Sequence, residues 1–160
     1  MKKFLILAIM MVFIAGTTSA KKPKQENIRY DIECAGNGSQ GTYLVKVWVY
    51  TKSSKLTSEV LKKYAVHGVI FKGYAGKTNC AQQKPLAQSP VLESERADFF
   101  NAFFNIDKAY SKYATEVQGS TERIKVGKEY KYGAVVSVSK DLLRKDLEAA
   151  GIIRGLSGGF

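Results

Sequence analysis

The sequence predicts an α+β fold: a single two-layer domain with a mixed sheet of about five strands and about three helices, preceded by a cleaved signal peptide. Three observations carry this prediction. Residues 1–20 read as a leader, which leaves 140 of the 160 residues, a common size for one domain with one core. The apolar pattern changes period along the chain, from two in residues 28–34 to a helical repeat in 56–66 and back to two in 130–138. A composition 45% apolar and 24% charged is that of an ordinary globular chain, which excludes a disordered tail, a collagen-like fibre or a knottin.

The leader comes first. Lys2 and Lys3 form a short basic region, residues 4–15 an unbroken apolar run, and Thr18-Ser19-Ala20 a small-residue cleavage site. The run is shorter than the roughly 20 residues that span a bilayer, so no transmembrane segment is expected after cleavage. No Cys follows it before Cys34, which argues against a lipoprotein. Residues 21–27, with Lys21, Lys22 and Lys24 around Pro23, form a basic flexible tether. Residues 28–157 form the domain and 158–160 a tail.

Within the domain, Ile28, Tyr30, Ile32 and Cys34 alternate with Arg29, Asp31 and Glu33, the pattern of a half-buried strand. A glycine-rich break at 36–41 leads into residues 42–51, where β-branched and aromatic side chains on both faces predict a central strand, paired with the first as a hairpin. Residues 56–66 predict a short helix with Thr57 as cap, and 69–71 a buried strand, together suggesting a parallel crossover. Residues 73–89 read as loop and 93–105 as a second helix. Residues 113–117 and 130–138 are strands, and 140–150 a third helix capped by Ser139 and stopped by Gly151.

Several motifs look chemical and lack their context. Gly36, Gly38 and Gly41 match a dinucleotide-binding glycine pattern, but a strand follows where a helix must open. Gly76-Lys77-Thr78 resembles the end of a phosphate-binding loop, but Phe71 stands where its first glycine belongs. His67 is the only histidine, which excludes two-histidine metal sites; paired with Cys34 it would make a thiol nucleophile and base. Glu93, Glu95 and Asp98 form the densest acidic group, yet their spacing does not place them on one helix face. The sequence assigns no catalytic residue, no metal site and no cofactor.

Two features remain for binding. Phe99, Phe100, Phe103 and Phe104 span a wide arc at 100° per residue, with Phe99 and Phe103 predicted core and Phe100 and Phe104 nearer an edge that would serve as a partner surface. The formal net charge is +11, or +9 once Lys2 and Lys3 leave with the leader, and it comes from 20 Lys against 5 Arg. Lysine point charges suit an anionic polymer better than specific nucleic-acid recognition, which uses the planar Arg fork. Lys125, Lys128 and Lys131 are the basic candidates.

Three stretches, 65–73 (Ala65-Val66-His67-Gly68-Val69-Ile70-Phe71-Lys72-Gly73), the helix around Ala97-Asp98-Phe99-Phe100, and 126–156, resemble a family of uncharacterised exported proteins of Bacteroidetes-type bacteria. The resemblance covers most of the mature chain and implies export to a Gram-negative envelope. It carries no established activity, so no residue inherits a role.

The expected function is a non-catalytic envelope or secreted binding module, periplasmic, outer-envelope-associated or free, whose partner is an envelope protein or an anionic polymer. The alternative is a small exported hydrolase, a nuclease or cell-wall enzyme, using His67 and carboxylates. Cys34 and Cys80, the only cysteines, face a disulfide-permissive compartment. They form either a bridge or two buried thiols, and both readings stand open at this point.

Overall fold

Alternating side chains build the first two strands, β1 (Tyr30–Gly36) and β2 (Tyr43–Thr51), into the predicted antiparallel hairpin. The computed structural model describes residues 28–78 and 80–155; the segments expected to be a signal peptide, a tether and a tail lie outside the described residues. Three more strands complete the sheet: β3 (Ala114–Glu116), β4 (Glu122–Val126) and β5 (Glu129–Val138). β2 lies between β1 and β5, while β3 and β4 both pair with the far side of β5. Every pairing is antiparallel, so the sheet is not mixed. From Glu116 to Glu122 six steps of chain oppose three on β5, which makes β3 and β4 one edge broken by an insertion. There the Ser120 hydroxyl accepts the Val135 N–H at 3.0 Å, standing in for the missing strand partner. The sequence marks no strand at β4, because all five of its residues are exposed and no buried face imposes a period.

The parallel crossover does not form. A single helix, α1 (Ser58–Phe71), replaces both the expected short helix and the strand at 69–71. Gly68, inside the helix, is a packing site: a Cβ there would stand 2.6 Å from Ile32 Cγ2, so its absence lets α1 lie close on β1. The helix ends at Gly73, whose φ of +64° suits only glycine and whose N–H returns to the Gly68 carbonyl at 2.9 Å. The freed carbonyls of Val69 and Ile70 accept the N–H groups of Leu86 and Ala87. The loop between folds back through paired Tyr74–Gln83 and Lys77–Cys80, and a disulfide joins Cys34 to Cys80, their Cα atoms 6.4 Å apart. The bridge is formed, and no thiol remains for a Cys34–His67 pair.

The aromatic segment is broken rather than continuous. Two short helices, α2 (Leu92–Glu95) and α3 (Ala97–Asn101), run into a π turn (Ala102–Ile106) and a 3-10 turn (Ala109–Tyr113). A π turn takes more residues per turn than an α-helix, so an arc reckoned at 100° per residue fails across it. Phe100, Phe103 and Phe104 are all buried, at 3%, 7% and 4% exposure, while Phe99 is half-buried. Phe100 and Phe104 are therefore core, and the expected partner edge at these residues does not exist. Ile106, the last residue of the π turn, is 67% exposed.

Helix α4 (Lys140–Ala149) buries Leu143 and Leu147, as its pattern predicts. Neither Thr57 nor Ser139 caps its helix through the side chain. Instead the Gly41 carbonyl accepts the Asp141 N–H at 3.2 Å, so the glycine-rich loop closes onto the start of α4. Helix α1 packs across β1, β2, β3 and β5. The layer between holds Val45, Val47, Val49, Ala134, Val136 and Val138, fully buried. The opposite faces of β1, β2 and β5 are half-exposed for most of their length. Among the described residues no helix is long and apolar enough to cross a membrane.

Candidate functional site

The outward positions of β2 and β5 meet at one end of the sheet, and their register decides what lies there. Trp48 stands opposite Gly133, and Tyr50 opposite Lys131. A Cβ at residue 133 would fall 2.3 Å from the Trp48 ring, so only glycine lets the indole lie against the strand. The indole N–H donates to Glu33 Oε1 at 2.8 Å, which fixes the ring in its plane. Glu33 also pairs with Lys77, and these two bonds, the lysine's the stronger, hold its carboxyl below the usual range.

Cations surround this platform. The Lys131 ammonium sits 4.1 Å from the Trp48 ring centre and 5.5 Å from that of Tyr50. Lys46 lies 4.8 Å over Trp48, and Arg29 lies 4.2 Å over Tyr50. Lys46 is neutralised by Glu122 and Arg29 by Glu129, whereas Lys131 has no ion pair among the described residues. β4 and β5 meet in a two-residue turn, Gly127-Lys128, which brings Lys125 and Lys128 to the same end, both exposed and without an acidic partner among the described residues. Arg123 stacks on Tyr130 at 5.5 Å and donates to the Ser54 carbonyl at 3.2 Å. That bond ties the β2–α1 loop, with exposed Lys52 and Lys55, to the same end of the sheet.

Lys125, Lys128 and Lys131, the basic residues marked by the sequence, are thus gathered at one hairpin. Lys52 and Lys55 are legible in the sequence only as part of a charge spread along the chain, and Trp48, Tyr50 and Arg123 are not marked there as binding residues. A signal was available: Lys46, Trp48, Tyr50 and Lys52 alternate with Val47, Val49 and Thr51, so one strand face carries both aromatic and basic groups.

The second constellation is built around His67, which lies inside α1 rather than at its end. Burial, then the nearby Glu93, push the Tyr30 phenol far above its usual range, so it is a neutral donor. Its hydroxyl oxygen lies 2.6 Å from His67 Nδ1, and the other ring nitrogen, Nε2, lies 3.0 Å from Glu93 Oε1. The bond from His67, aided by its proximity and that of Lys63, holds the Glu93 carboxyl below its usual value. Phe71 and Phe104 pack on the imidazole with centres 4.7 and 5.2 Å away. Both ring nitrogens are engaged, and Tyr30 is buried. The arrangement joins β1, α1 and α2 as a brace, and offers no free base beside a reachable nucleophile.

The remaining pieces stand apart. An open cleft of about 370 Å³ lies between the start of α1 and β3, lined by Ser58, Lys62 and Glu116 among others, and His67 is not part of it. Lys77 of the Gly76-Lys77-Thr78 motif sits in the disulfide hairpin, with no helix after it. Among the described residues no three His, Cys, Asp or Glu side chains are grouped to hold a metal ion. No family model, curated protein or solved structure matches the chain.

Proposed function

We propose that this protein is an exported, non-catalytic binding module of the cell envelope that holds an anionic polymer at the basic end of its sheet. One observation carries the reading: Lys131 lies over the rigid Trp48–Tyr50 platform, and Lys125, Lys128, Lys52 and Lys55 gather at the same end of the sheet, none of them in an ion pair among the described residues. Unpaired lysines need not break an internal ion pair to meet a ligand, and an aromatic plane gives a polymer a stacking surface. The basic and apolar leader at residues 2–15 and the resemblance to exported envelope proteins support the location.

The alternative, a hydrolase acting through His67, draws on its contact with Glu93. That reading requires a substrate to displace Tyr30 or Glu93 from the ring, and the cleft between α1 and β3 does not include His67.

The test is retention on soluble polyphosphate. The mature chain is expected to bind with an affinity that falls steeply as salt rises, since screening weakens exposed charges. Lys125→Ala/Lys128→Ala/Lys131→Ala should weaken binding by at least about tenfold while leaving the fold unchanged. Equal binding by this variant and the wild type would refute the assignment.

A further inference from the structure

Strand β4 places aliphatic side chains in water at the same hairpin. Ile124 and Val126 are 45% and 52% exposed, and neither is among the buried or partly buried groups of the core. Their register, Ile124 opposite Lys131 and Val126 opposite Glu129, puts both on the face that carries Lys131, Tyr50 and Trp48. Arg123 and Lys125 alternate with them on the other face of the strand. Isolated apolar groups are ordinary on a protein surface, but here two lie beside unpaired cations and two aromatic rings at the tip of a turn. Phosphate groups and sugar rings take cations and aromatic planes; they have no use for β-branched aliphatic groups.

We infer that the β4–β5 hairpin docks on an anionic lipid surface, with Ile124 and Val126 entering the boundary between headgroups and acyl chains while Lys131 on the same face and Lys128 at the turn meet the lipid phosphates. This deepens the proposed function and rests on its anionic-ligand reading, naming the anion-bearing surface. The layering matches an interface: aliphatic tips deepest, Trp48 and Tyr50 at headgroup level, cations around them. A bilayer of acidic lipids attracts each surface lysine without geometric demand, which suits lysine better than arginine. A second copy of the chain fits the strand poorly. Antiparallel self-pairing centred on Ile124 would set Arg123 against the copy's Lys125, two like charges directly opposed.

The experiment titrates the mature chain with vesicles of phosphatidylglycerol and phosphatidylcholine in equal parts, with pure phosphatidylcholine vesicles, and with soluble polyphosphate. Trp48, the only tryptophan, gives a direct fluorescence readout from the docking face. Wild type should bind the acidic vesicles and not the neutral ones. Ile124→Ser/Val126→Ser should lose at least about tenfold in vesicle affinity and keep its polyphosphate affinity within about twofold. Removing the three lysines should weaken both. Wild type that binds polyphosphate but no vesicle, or an apolar double variant that binds acidic vesicles as wild type does, overturns the lipid inference and leaves the anionic reading standing. Binding to neither probe overturns both.

Discussion

The hairpin end of the sheet and the His67 brace use similar side chains in opposite ways. At the brace the Tyr30 hydroxyl, both imidazole nitrogens and one Glu93 oxygen form one chain beside an aromatic shell. At the hairpin the Trp48 ring is fixed, by Gly133 beneath and Glu33 beside, but Lys125, Lys128 and Lys131 form no close ion pair among the described residues. A buried polar group left unpaired costs far more than an exposed one, so the brace is complete because it is enclosed. The hairpin tolerates unpaired charge because water solvates it. The cluster that looks more catalytic is the one whose polar groups already hold one another, and the plainer surface is the one that carries the proposed ligand site.

Variants can separate the two regions, beginning with the largest effect. Phe104→Ala and Phe103→Ala should each cost about 3–5 kcal/mol, because both rings are buried against their neighbours. Urea melts that show Phe104→Ala to be nearly free would restore an exposed edge there and refute its place in the core. Opening the Cys34–Cys80 bridge, which spans 46 residues, should cost about 4 kcal/mol on the chain-entropy account. The same bridge predicts no reactive thiol in the denatured, unreduced chain; two labelled cysteines would disprove it.

His67→Ala should cost about 1–3 kcal/mol by stranding the Tyr30 hydroxyl. The brace also predicts a pH dependence. Glu93 has a carboxyl lowered in the folded state, so its contribution is complete above its usual value of 4.5 and is lost as pH falls through the lower folded value. Glu93→Gln should flatten that part of the acid limb, measured as melting midpoint against pH; an unchanged limb would show that the brace does not set it. None of these core or brace variants should alter polyphosphate affinity of the folded fraction.

The smallest effect on stability belongs to the hairpin. Replacing Lys125, Lys128 and Lys131 should leave the melting midpoint where it was while removing anion binding, the converse of the brace variants. Gly133→Ala sharpens the contrast between platform and charge: a Cβ would push the indole off the strand, loosening Trp48 and weakening the ligand with every lysine intact. Unchanged Trp48 fluorescence and unchanged affinity in that variant would show that the platform plays no part.

Local pattern determined much of this protein. The alternation around Val45, Val47 and Val49 and the stripe of Leu143 and Leu147 each report burial on one face, and these elements form as their periods require. Lys125, Lys128 and Lys131 were legible as a basic group, since three cations within seven residues need no partner strand to be seen. Tertiary structure decided the rest. The role of Gly68 is visible only once Ile32 is seen beneath it, and the π turn that buries Phe104 leaves no mark on an arc drawn for a regular helix. The partners of His67 come from β1 and α2, 37 and 26 residues away, and Trp48 meets Lys131 only through strand register. A periodicity records what one element buries; it is silent about which distant side chain occupies the space opposite. That choice is made by packing, and both the brace and the hairpin surface are consequences of it.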